Sequence, residues 1–201
     1  MNIKDWIFDF AYNEALIDAT RRTHAAGYKE SVSKNDEAKG FVREYANSIL
    51  NGNHADFYET EKKVEECISN PKFTFGNTQK LINMTMKYLY IVCYHDIALR
   101  DIFEVCHCPM DKTMKDIVVK RYRKAVEEDG APKDYSTFIN CDGNESECWS
   151  DVSWSNIERA YVDKYPTQNV YYSYQKMVEY LAGKDELFPL EYDFKEFNKE
   201  Q

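Results

Sequence analysis

Lys80, Asn83 and Lys87 are residues whose types and spacing could hold an anion. At roughly 100° per residue on a helix, taking Lys80 as zero, Asn83 falls near roughly 300° and Lys87 near roughly 340°. Two ammonium groups would supply point charges, and the Asn83 amide could read a base or a hydroxyl. A second group follows at Cys106-His107-Cys108-Pro109-Met110-Asp111. Pro109 disfavours helix at Cys108, and Asp111 is placed to cap a helix that starts at Lys112 and offers unpaired amides to a phosphate or carboxylate. If these two helices are antiparallel neighbours, the His107–Asp111 turn meets one end of the basic arc. Tyr88 or Tyr94 could then stack on an aromatic ring, Asp111 could orient His107 or be consumed by capping, and Lys115 completes the candidate set. The plainer reading of the arc is the solvent face of its helix.

Other chemistries find less support. Cys106, His107 and Cys108 are adjacent and cannot easily reach one tetrahedral ion from regular backbone, and paired C-x2-C knuckles are absent, so no metal site is expected. Asp142-Gly143-Asn144-Glu145-Ser146-Glu147 alternates oxygen-bearing residues but lacks the order of a calcium loop. The chain has no G-x-S-x-G elbow, P-loop, H-E-x-x-H pair or dinucleotide fingerprint, so nothing in it requires catalysis. The cluster Lys120-Arg121-Tyr122-Arg123-Lys124 is the one serious nucleic-acid patch, yet Tyr122 falls near the apolar stripe and not where a base would stack. The glutamates Glu59, Glu61, Glu65 and Glu66 read as a wet helix face.

Composition narrows the partners. A formal net charge of −9 over 201 residues disfavours nonspecific association with nucleic acid or an anionic membrane. Basic residues nonetheless concentrate between Lys80 and Lys124 while acids dominate from Glu179 to Glu200, which leaves room for a focused site for a small anionic or nucleotide-like ligand. The opening residues lack a signal peptide's apolar core and no run is long enough to span a bilayer, so cytoplasmic residence is the default expectation and the six cysteines read as reduced thiols. No cofactor is implied.

Those residues need elements to position them. Periodicity predicts a first helix over Asp5–Thr20, with Trp6, Phe10 and Leu16 or Ile17 facing the core. A second helix is expected over Asp36–Leu50, with Phe41, Val42, Tyr45 and Ile49 on its apolar side, and a third over Ala55–Ser69. The central, mostly apolar helix covers Asn77–Tyr94, capped by Asn77 or Thr78. Asp96–Cys106 continues it or follows a kink. Lys112–Glu128 is expected to turn Met114, Ile117, Val118, Tyr122 and Val126 inward and to leave Lys115 on its polar side. The stretch 130–153 loses periodicity and reads as a long loop or lid, and helices resume over 153–162 and 168–181. The tail 186–201 alternates aromatic and charged residues and suits a short strand or an extended strap. The expectation is an all-α, single-domain irregular helical bundle around the central helix.

The motif pair formed by Phe75-Gly76-Asn77-Thr78-Gln79-Lys80-Leu81-Ile82-Asn83 and His107-Cys108-Pro109-Met110-Asp111 resembles one found in uncharacterised small helical proteins of bacteria and their phages. The resemblance implies that the Lys80, Asn83 and Lys87 face and the His107 turn belong to one site, and it implies no activity. Three readings follow. The leading one is noncatalytic binding of a nucleotide or other small phosphorylated ligand by Lys80, Asn83, Lys87, Tyr88, His107, Asp111 and Lys115. The second is a protein-interaction or scaffold module, including a homo-oligomer. The third is a phosphodiester-directed enzyme with His107 as acid or base.

Overall fold

Short polar side chains define several helix starts in this chain by accepting hydrogen bonds from otherwise orphan backbone amides. The computed structural model describes residues 4–21, 32, 35–132 and 170–197. Among them every regular element is helical and none is a strand, as the expected all-α class requires. No helix there is long and apolar enough to cross a membrane. The loop or lid expected over 130–153 lies outside the described residues beyond 132, as does the helix expected over 153–162. The chain divides into two compact units, 1–109 and 110–201.

In the first unit α1 spans Asp5–Thr20 and α2 spans Asp36–Leu50. Asn35 starts α2 by accepting the Ala38 amide at 2.9 Å, and its own amide donates to the Cys67 carbonyl at 3.0 Å. Helix α3 spans Phe57–Ile68, capped by Asp56, whose carboxylate accepts the Glu59 amide at 3.0 Å. Helix α4 spans Phe75–Cys93 and is the central helix. It starts two residues earlier than expected because Thr74 is the capping residue. Asn77 works from inside the first turn, accepting the Thr74 amide at 3.2 Å and donating to the Ala19 carbonyl at 2.8 Å. A short helix α5, Ile97–Asp101, and a 3-10 turn, Ile102–Val105, close the unit.

The most extensive packing in this unit is α1 on α4. Asn77 meets the end of α1 at Ala19, whereas Tyr88 meets Phe10, with ring centroids 6.4 Å apart. Residue numbers rise on one helix as they fall on the other, so the two are antiparallel. The buried side of α1 carries Phe8, Ala11, Tyr12, Ala15 and Ala19. Leu16 is buried as expected, but the rest of the expected face is corrected, since Trp6, Phe10 and Ile17 are exposed. Both sides of α1 are apolar, and close helix packing selects the side rich in alanine, where no side chain holds the backbones apart. Glu61, expected on a wet face, is buried as well.

In the second unit α6 spans Lys112–Glu128, α7 Val170–Lys184 and α8 Pro189–Phe197, and each packs on the other two. The expected strand or strap is therefore a helix over most of its length. Pro189 occupies a first helical position that needs no amide, and Glu191 reaches back to accept the Phe188 amide at 2.9 Å. That local capping overrides the two-residue alternation. Lys115 is also corrected: it lies on the buried side with Val118 and Tyr122, its ammonium 3.8 Å from Asp116. Tyr122 donates to the Pro132 carbonyl at 2.7 Å, and Arg121 pairs at 2.5 Å with the buried Glu196.

If the alanine side of α1 sets its spacing from α4, Ala15→Leu should destabilise the first unit by about 1–3 kcal/mol through overpacking. Trp6→Ser should change it by less than about 0.5 kcal/mol. Amide hydrogen exchange along α4 reads both effects.

Candidate functional site

The arc of α4 is only partly open. Lys80 and Lys87 are half-buried, but Asn83 is fully buried and its amide donates to Gln79 one turn earlier at 3.2 Å. Buried polar groups must be satisfied from within the fold, and the Gln79–Asn83 pair is such an arrangement. Tyr88 is half-buried and donates its hydroxyl to the Asp18 carboxylate of α1 at 2.7 Å. Burial, this bond, and the charges of Asp18 and Glu14 all push the Tyr88 phenol above its ordinary value. It is therefore a neutral donor that ties α4 to α1.

His107 packs its imidazole on Phe57 of α3, with centroids 4.6 Å apart. The flanking thiols of Cys106 and Cys108 are buried, and burial pushes the Cys106 thiol up. Burial thus opposes the thiolate that a metal or a nucleophilic mechanism would use. Among the described residues no group of three or more His, Cys, Asp or Glu side chains could hold a metal ion. Asp111 caps α6 by accepting the Met114 amide at 3.0 Å. Lys80, Asn83, Lys87, Tyr88 and His107 belong to the first unit, and Asp111 and Lys115 to the second.

A different surface emerges on α1. Trp6 is 69 % exposed, Phe10 55 % and Ile17 54 %, and Asn13 between them is exposed too. Steps of four, three and four residues place all four side chains in one row along the helix. Tyr88 joins the row to α4 through its edge contact with Phe10. Ile91 and Val92, one turn further on, are 48 % and 47 % exposed. With the helices antiparallel, that turn lies level with the start of α1, beside Trp6. The sequence contained the signal for this row, since α1 has a second apolar side at Phe8, Ala11, Tyr12, Ala15 and Ala19.

Polar groups on the α2 side of the row are paired with one another. Asp9 meets Lys39 at 2.8 Å and Arg43 at 2.9 Å, and Arg43 also reaches Asp5 at 2.5 Å. Two carboxylates and two cations make a neutral border. Arg43 further covers the Phe8 ring at 4.7 Å, and Lys39 lies 5.7 Å from the Tyr12 ring centroid. No family model, curated protein or solved structure matches this chain.

The hydrogen bond from Lys39 holds the Asp9 carboxyl below its ordinary 3.8, with the charges of Lys39 and Arg43 adding to it against the opposing effect of burial. A carboxyl depressed in the folded state adds stability that is present above the unfolded value and is lost as pH falls through the folded one. Asp9 is substantially exposed, so its contribution at neutral pH should be below about 1 kcal/mol. Asp9→Asn should lower stability by that amount above pH ~4 and converge with wild type in more acid solution. Urea unfolding across this pH range tests it.

Proposed function

We propose that the protein is an interaction module whose working surface is the solvent side of α1, extended by Tyr88, Ile91 and Val92. The row of Trp6, Phe10 and Ile17 carries this reading, because exposed apolar side chains scattered singly are ordinary whereas contiguous ones mark contact surfaces. Aromatic residues supply large contact area, and Trp and Tyr are favoured contributors to binding energy. A photo-crosslinking amino acid at position 6, used in the natural host's extract, should give a defined protein adduct. The same group at the exposed Asn53 serves as control. Crosslinking at position 6 no stronger than at position 53 overturns the reading.

A second reading is a small anionic or nucleotide-like ligand held by Lys80 and Lys87, favoured by two half-buried ammonium groups on one side of α4. This reading rests on the charge of Lys80 and Lys87 and on their common side of α4. A nucleotide should then raise the melting temperature, and Lys80→Ala with Lys87→Ala should abolish the rise. A nucleotide panel that leaves the wild-type melting temperature unchanged overturns it.

A further inference from the structure

We infer that the partner seated on α1 is a second copy of this chain, packed antiparallel across a two-fold axis; this inference rests on the interaction reading. In such a pairing the residues of one row face those of the other in reverse order. Trp6 then lies opposite Ile17 of the second copy, and Phe10 opposite Asn13, because both pairs are equidistant from one centre between residues 11 and 12. Each large ring faces a smaller side chain, which is how two identical surfaces fill space without collision. A row with steps of four, three and four residues is the pattern of a coiled-coil seam.

The flanks fit as well. In an antiparallel pair about this centre, Glu14 comes beside Ile7 of the second copy. This carboxylate therefore meets an aliphatic side chain and not another carboxylate, and Asp9 is already neutralised by Lys39 and Arg43. The available area is of the right size. Taking roughly 200 Å² for an aromatic side chain and roughly 100 Å² for a branched aliphatic one, the exposed fractions of Trp6, Phe10, Ile17, Ile91 and Val92 leave on the order of 400 Å². A standard interface covers about 800 Å² per partner, of which roughly 450–500 Å² is apolar. The row and its extension on α4 together therefore supply most of the apolar share of one side.

Sedimentation velocity of the full chain across a concentration series should show a monomer–dimer equilibrium. Phe10→Glu should weaken it at least about 30-fold, the loss expected of a central aromatic contact. Asn13→Leu should strengthen it, since an amide facing the Phe10 ring is desolvated without a polar partner across the seam. A wild type that stays monomeric throughout, or a dimer indifferent to Phe10→Glu, overturns the inference. If Phe10→Glu fails to fold by circular dichroism, Trp6→Ser with Ile17→Ser replaces it under the same criterion. The position-6 crosslink separates the two levels of the argument. An adduct to the chain itself supports the dimer, an adduct only to another protein overturns the dimer but keeps the interaction reading, and no adduct above the control overturns both.

Discussion

The close approach of α1 to α4 is the constraint on which the first unit depends. Ala11, Ala15 and Ala19 bring the two backbones together, and Phe8 and Tyr12 fill the space alongside them. Once the alanine side is committed inward, the rotation of α1 is fixed, and with it everything on the opposite side. Asn77 then reaches the Ala19 carbonyl and Tyr88 reaches Asp18, polar ties that only one register satisfies. The exposure of Trp6, Phe10 and Ile17 follows from this core. Turning them inward would expose Phe8 and Tyr12 and replace small side chains with large ones at the tightest contact.

Much of the fold was legible in the sequence because hydrophobic periodicity and capping are local. The bounds of α1 and α2 coincide with the expected ones, and Asp111 was identified as the start of α6. Faces were harder to read. A helix apolar on one side reveals which way it points, but α1 is apolar on both, and hydrophobicity alone favours the larger side chains when packing requires the smaller. The final helix shows the reverse problem. Alternation over 187–197 suggested an extended chain, yet a bond back from Glu191, a proline at the first turn and packing against α6 and α7 favour a helix.

The candidate ligand site was less legible because charge and polarity were taken as signs of exposure. Asn83 and Gln79 stand four residues apart on one helix, a spacing at which two amides can satisfy each other and both be buried. Lys115 falls in step with Val118 and Tyr122, so its stem belongs to the core whatever its charged end meets. Position therefore outweighs residue type for all three. The partners of Tyr88 and Asp111 lie respectively seventy residues away and in the adjacent backbone, and only the second could be inferred from the sequence.

Magnitudes favour one kind of occupant for the open side of α1. Covering on the order of 400 Å² of apolar surface gains at most about 10 kcal/mol at the usual 25 cal/mol per Å². Association costs about 4–15 kcal/mol before any side chain is ordered. A largely polar partner that covers this row and contributes little apolar surface of its own leaves the sum near balance. A partner bearing a row of equal size doubles the apolar surface covered for the same loss of translational and rotational freedom. A partner as apolar as the row itself would gain the most by covering it. The neutral Asp5, Asp9, Lys39 and Arg43 border reinforces the selection, because charges already paired with one another offer a charged partner little additional attraction.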